Sequence, residues 1–178
     1  MTEQELIRQC LENNRVAQRE LYQHFASRMM AVCYRYARSR EDAEEILQES
    51  FVKVFTQLKK FRGEGSFEGW IRKIVVNTAL QQIRKDMHRM KDISFPDNLE
   101  VPGVHLSPSA EADELMDLIR QLPQGYRAVF NLYAIEGYAH KEIAEMLGIN
   151  EGTSRSQYLR ARAWLAKQLS PQLISHAR

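Results

Sequence analysis

Residues 140–162 read HKEIAEMLGINEGTSRSQYLRAR. His140 to Leu147 fit one short helix, with Ile143, Ala144 and Leu147 turned inward. Gly148 follows where a left-handed residue ends a helix at least cost. Ile149 occupies the turn, and Asn150 is a good N-cap for a second helix opening with Glu151. Helix, tight turn, helix is the helix-turn-helix pattern. On the second helix Ser154, Tyr158, Ala161 and Leu165 share an inner face, which leaves Arg155, Ser156, Gln157, Arg160 and Arg162 for other work. Arginine can grip a guanine edge with two hydrogen bonds and glutamine can do the same for adenine, so this surface suits a major groove. A merely solvated basic helix has the same composition, but not the turn chemistry before it. Arg155 and Arg160 are therefore expected to read or clamp DNA, by base or phosphate contact, with Gln157 as an additional base contact.

Upstream, the helical pattern fails between Asp92 and Ala110, where Pro96, Pro102, Gly103 and Pro108 fall among few periodic apolar residues. That length reads as a linker between domains rather than a loop within one. The expected organisation is a domain at 1–91, a linker at 92–110 and a second domain at 111–178. Periodicity in the second domain starts with Leu115, Leu118, Ile119 and Leu122 and continues to Leu169. In the first, Thr2 and Glu5 stand at capping-box spacing before Leu6, Ile7, Cys10 and Leu11. Asn13 and Asn14 break that helix, and a second stripe runs through Val16, Leu21, Phe25, Met29, Val32, Cys33 and Tyr36. From Glu41 to about Leu58 an amphipathic helix buries Ile46, Leu47, Phe51, Val54, Phe55 and Leu58, and sets Asp42, Glu45, Gln48 and Glu49 on its other side. Phe61 to Phe67 reads as a glycine-containing loop, and a last helix runs from about Glu68 past Arg84. No segment looks like a useful strand, so the fold class is all-α, with two small helical domains joined by an extended linker.

The composition supports this and removes other classes. Eight glycines and five prolines are little turn material for 178 residues, which favours long helices. A net charge of +2 is too small to diagnose nucleic-acid binding, so the placement of charge decides. Cys10 and Cys33 lie among apolar helical positions and read as buried thiols rather than a disulfide or metal pair. The polar, acidic N-terminus has no secretory character and no apolar run approaches a membrane span, so the expected location is cytoplasmic. Glu45 and Glu49 lie one turn apart, yet no histidine stands at a useful spacing for a metal. No metal and no cofactor are expected.

The region from Phe61 to Lys91 combines aromatics, a flexible loop and positive charge. Phe61, Phe67 and Trp70 flank the glycines, and Asn77 interrupts the apolar run Ile74, Val75, Val76. Arg72, Lys73, Arg84, Lys85, Arg89 and Lys91 make the helix basic, with Asp86 opposing them. Such a mixture suits single-stranded nucleic acid, because bases stack on rings at roughly 1–3 kcal/mol each while cations follow phosphates. Phe67 and Trp70 at a helix start equally fit a core, and the cations fit a solvated face.

Three stretches together resemble one family. They are Asp42-Ala-Glu-Glu-Ile-Leu-Gln-Glu-Ser-Phe51, then Phe61-Arg-Gly with Phe67, Trp70 and Val76-Asn-Thr-Ala79, then Leu122-Pro with Arg127-Ala-Val-Phe130 and the helix-turn-helix. Their succession over about residues 10–170 is similar to the extracytoplasmic-function sigma factors, the compact bacterial sigma factors of the sigma-70 family. The resemblance implies two helical domains equivalent to sigma regions two and four, a core RNA polymerase partner, promoter DNA and an anti-sigma factor. It implies a polymerase-docking surface at Asp42, Glu45, Gln48, Glu49 and Phe51. It further implies contact with an opened −10 element through Phe61, Arg62, Ser66, Phe67, Trp70, Asn77 and Arg84, Asn77 lining the pocket for a flipped base. Unstacking that base costs a few kcal/mol, which the mixed aromatic and basic surface would offset. Arg155, Ser156, Gln157 and Arg160 fall to the −35 element. Two residues depart from the family pattern. Ala139 stands where Ser or Thr usually caps the first helix of the helix-turn-helix, and Ser154 replaces a usual aliphatic residue. The first costs about 1 kcal/mol of capping, and the second is expected to loosen the recognition helix.

Two other functions fit parts of the chain. A regulator that binds operator duplex accounts for the C-terminal half but gives the acidic helix and the aromatic loop no role. An enzyme, such as a nuclease, would need a site; His24, His88, His105, His140 and His176 are scattered outside any catalytic or zinc motif, and His140 is expected at the surface. The expected mode of action is binding, not catalysis.

Overall fold

The computed structural model describes residues 2–89 and 111–175, and the expected linker at 92–110 lies outside the described residues. Among the described residues eight α-helices run in chain order: α1 (Glu3–Leu11), α2 (Arg15–Tyr36), α3 (Arg40–Gln57), α4 (Phe67–Arg89), α5 (Glu111–Gln121), α6 (Gln124–Phe130), α7 (His140–Leu147) and α8 (Glu151–Ser175). Leu58–Lys60 tightens into a 3₁₀ turn after α3, and Asn131–Ile135 forms a π-type turn after α6. No strand occurs among the described residues. The chain divides into two compact units, Met1–Gln81 and Gln82–Arg178, with the division falling within α4.

Local chemistry sets the helix starts. Thr2 Oγ1 accepts from the Glu5 amide at 3.2 Å, and Asn14 Oδ1 accepts from the Val16 and Ala17 amides at 2.9 and 3.3 Å. Ser39 Oγ accepts from the Asp42 amide at 3.2 Å. Each of these oxygens satisfies a donor that has no partner within its helix. Asn13, between α1 and α2, takes a left-handed φ of 60°, a conformation Asn tolerates better than most residues.

In the first unit the apolar stripes close on one another. Leu21, Phe25, Met29, Val32, Cys33 and Tyr36 of α2 are buried, as are Ile46, Leu47, Phe51 and Val54 of α3 and Ile71, Val75, Val76, Ala79 and Leu80 of α4. Val16 breaks the expected stripe and is 72% exposed. It precedes Leu21 by five residues, about 140° around a helix, so it points away from the core. In the second unit Leu118, Ile119 and Leu122 of α5 pack with Ala161, Trp164 and Leu165 of α8. Arg127 is buried there and donates from Nη1 to the Arg120 carbonyl at 2.8 Å.

Both cysteines are free and buried. Burial pushes the Cys33 thiol up to about 12 and raises that of Cys10, so neither supplies thiolate, the reactive form. Cys10 and Cys33 should stay inert to a thiol reagent near neutral pH in the folded chain and react in denaturant; fast native-state labelling would contradict their burial.

Candidate nucleic-acid interface

The first unit presents two surfaces. On α3, Glu45 and Gln48 are exposed and Glu49 pairs with Lys53 at 2.7 Å. Asp42 is half-buried and accepts from the Arg38 amide at 2.9 Å, so it also orders the start of the helix. Phe51 does not belong to this surface: it is 3% exposed and meets Tyr22 edge-on at 4.8 Å. Its place in the apolar stripe with Val54 and Leu58 outweighs the polymerase contact that the resemblance implies. Val52, which the sequence reading passed over, is 63% exposed and lies one turn beyond Gln48 and Glu49. An apolar residue between polar ones at helical spacing is the signal that could have found it. Lys53 Nζ reaches across to Thr78 Oγ1 at 3.3 Å and Gln81 Oε1 at 2.8 Å, tying α3 to α4.

The second surface surrounds the start of α4. Gly63 and Gly65 take φ values of 74° and 90°, so the loop needs glycine at both positions. Ser66 Oγ accepts from the Gly69 amide at 3.3 Å and caps α4, while Arg62 and Ser66 are exposed. Phe61, Phe67 and Trp70 form one cluster, with centroid separations of 4.9 to 5.8 Å. Phe67 is its buried base: it is 1% exposed and meets the Phe25 ring edge-on at 5.6 Å. As the first residue of α4, Phe67 turns its ring into the core rather than toward the DNA contact that the resemblance implies. Phe61 and Trp70 are half-buried and remain available. Seven residues beyond Trp70, Asn77 returns to the same helix face and is exposed, as is Lys73 between them. Arg84 is exposed further along α4, past the Gln81 boundary and so outside the first unit.

In the second unit the helix-turn-helix has the expected turn. Gly148 ends α7 at φ 69° and ψ 35°, and Asn150 Oδ1 accepts from the Thr153 amide at 2.7 Å to start α8. Ala139 caps α7 with extended backbone and no side-chain acceptor, but Glu142 Oε2 accepts from the Ala139 amide at 2.8 Å, half of a capping box. Arg155, Ser156 and Arg160 are exposed on α8, Arg155 pairing with Glu151 one turn back. Gln157 is half-buried and its Oε1 is enclosed without a hydrogen-bond partner. It sits beside the inner-face residue Tyr158 and is less accessible than Arg155, Ser156 and Arg160. Leu159, which the sequence pattern did not single out, is 60% exposed beside Arg155 and Arg160; an unburied leucine among arginines is the signal.

His140 also differs from the expectation of a surface residue. It is 8% exposed, its ring stacks on Tyr133 at 4.3 Å, and its Nδ1 lies 2.9 Å from Ser154 Oγ. Burial first, then the nearby Arg155 cation, lowers its pKa from the ordinary value, with Glu151 opposing. Among the described residues no group of three His, Cys, Asp or Glu could hold a metal, and no helix is long and apolar enough to cross a membrane.

Comparison with known proteins matches both units. The sigma-70 region 2 family model covers residues 21–89, and the sigma-70 region 4 model covers residues 112–165. The sigma-E factor of Haemophilus influenzae, an extracytoplasmic-function RNA polymerase sigma factor, is 30% identical over 96% of this chain and 97% of its own. SigE of Mycolicibacterium smegmatis is 32% identical over 89% of this chain and 62% of its own. Among solved structures, the sigma factor RpoE of Bartonella quintana in complex with the anti-sigma factor NepR shares the fold, with a TM-score of 0.53, 19% identity and coverage of 85% of this chain and 96% of that one.

Ala139 already holds N-cap backbone geometry and lacks only the oxygen. Ala139→Ser should stabilise the second unit by about 1 kcal/mol, read as a later urea midpoint. An unchanged midpoint would mean that the Glu142 half of the box suffices.

Proposed function

Because the chain belongs to the extracytoplasmic-function sigma factors of the sigma-70 family, it is a promoter-specificity subunit of bacterial RNA polymerase, and we propose that it divides this task among three surfaces. The single observation that carries the reading is the pairing, in one chain, of a helix-turn-helix with an aromatic loop set over an exposed polar helix face. Glu45, Gln48, Glu49 and the exposed Val52 on α3, with Asp42 at its start, dock on core polymerase. Phe61 and Trp70 stack on unpaired bases of the −10 element, Asn77 reads a flipped base, and Arg62, Ser66 and Arg84 hold the strand. Phe67 acts beneath them as support. On α8, Arg155, Ser156 and Arg160 contact the −35 duplex, with Leu159 offering an apolar surface to a thymine methyl. Residues 1–91 and 111–178 are the two domains in this scheme, joined by 92–110.

The mode of action is binding. The chain positions polymerase and stabilises an opened strand, and it performs no bond chemistry of its own. It works in the cytoplasm, where polymerase and promoter are. An anti-sigma factor that covers the polymerase-docking surface holds it inactive, as NepR is bound to the matched RpoE; affinity capture from the native host should recover such an inhibitor alongside polymerase.

Run-off transcription with core polymerase separates the surfaces. Asn77→Ala should lower output about tenfold on an intact promoter and lose sensitivity to the flipped −10 base, one to three kcal/mol being the usual worth of one base contact. Arg155→Ala should instead lose sensitivity to one position of the −35 element. Variants that weaken every template equally would remove base readout from both residues.

A further inference from the structure

The helix-turn-helix holds a buried polar cluster that the DNA-contacting face does not use. His140 opens α7, and Ser154 lies on the inner face of α8, where it is fully buried. His140 Nδ1 and Ser154 Oγ are 2.9 Å apart across the two helices. The Tyr133 ring, carried by the π-type turn, lies almost parallel to the imidazole at 9° and 4.3 Å. Tyr158, one turn beyond Ser154, is 5.8 Å from His140 and 4.5 Å from Tyr133, ring to ring. Three elements thus meet on one imidazole.

Apolar contacts between helices tolerate small rolls and slides, whereas a buried hydrogen bond does not, because misalignment leaves a polar atom unsatisfied. Ser154 directly precedes Arg155, so a roll of α8 about its axis displaces the arginine head group, which stands farther from the axis than Ser154 does, more than it displaces Ser154 itself. Building on the assignment of α8 to the −35 element, we propose that His140 is a positioning residue for promoter readout, fixing the roll of α8 through Ser154 so that Arg155 and Arg160 meet the groove in register. Ser154 then anchors the recognition helix, the reverse of the loosening its polarity first implied.

The groups facing the imidazole are Arg155 and Glu151 from α8 and the phenol rings of Tyr133 and Tyr158. Burial, the Arg155 cation and the N-terminal end of α7 all oppose a proton, and only Glu151 favours one. The ordinary value is 6.5 and the fold lowers it. The cluster is therefore at full strength above that value, and its contribution falls as pH drops below it, levelling off once the folded-state value is passed.

The test uses the full chain assembled with bacterial core polymerase on a promoter fragment from its own genome, with the −35 element intact or scrambled. The ratio of the two affinities isolates readout by α8 from −10 contacts and from general phosphate attraction. His140→Phe keeps the stacked ring and removes Nδ1, Ser154→Ala removes the other partner, and His140→Asn returns an amide nitrogen near Nδ1 without a group that titrates. The Phe and Ala variants should lower the ratio about tenfold near neutral pH, with the Asn variant recovering most of it. Strand opening at the −10 element should persist in all three, which reports an intact first unit. The wild-type ratio should also fall as pH is taken below the ordinary histidine value of 6.5 and the buried imidazole charges, while that of the Asn variant stays level. A large wild-type ratio that no variant moves, or parallel pH profiles for wild type and the Asn variant, would overturn the proposal alone. A wild-type ratio near one would overturn the −35 assignment and the proposal with it.

Discussion

The interface where Phe67 enters the first core governs what that unit can present. Phe67 meets Phe25 of α2 edge-on on one side and stacks beneath Trp70 on the other. Fixing this first residue of α4 fixes the phase of the helix. With the phase set, Ile71, Val75, Val76 and Ala79 must face inward, and Trp70, Lys73 and Asn77 must face out. The Lys53 bonds to Thr78 and Gln81 fix the same helix against α3 from a second direction. The face proposed to bind bases is thus preorganised by the core behind it, which would leave little ordering cost when DNA arrives.

The second unit solves the same problem with different chemistry. Gly148 and Asn150 set the angle between α7 and α8 through backbone geometry and a cap. A hydrogen-bonded histidine and serine then occupy a position where apolar packing would suffice for stability alone. Half of the capping box is missing at Ala139, so the start of α7 depends more on what His140 contacts than on its own cap. The two departures from the family pattern are thus neighbours in space: the uncapped residue precedes His140, and the unexpected serine is the partner of His140.

Much of this was legible in the residues. The α3 stripe, the α2 stripe from Leu21 onward, the Asn150 cap and the left-handed Gly148 follow from periodicity and cap chemistry, and all appear in the fold. Less legible was the rotation of each side chain about its helix. Phe51 and Phe67 belong to their helices' inner faces, yet family resemblance drew both outward. Gln157 has the right chemistry for adenine but is half-buried, whereas Leu159 is exposed. His140 was beyond reach for another reason: its partners Tyr133 and Ser154 come from separate elements, and no local spacing announces a contact of that kind.

The central claim is that this chain opens promoter DNA only as part of a polymerase. Permanganate reactivity of unpaired thymines on host promoter DNA tests it directly, with the chain alone, core polymerase alone and the two combined. Reactivity across the −10 region in the combined sample only is the predicted result. Duplex protection by the chain alone, unchanged when polymerase is added and without reactive thymines, would contradict the account and make the protein an operator-binding regulator.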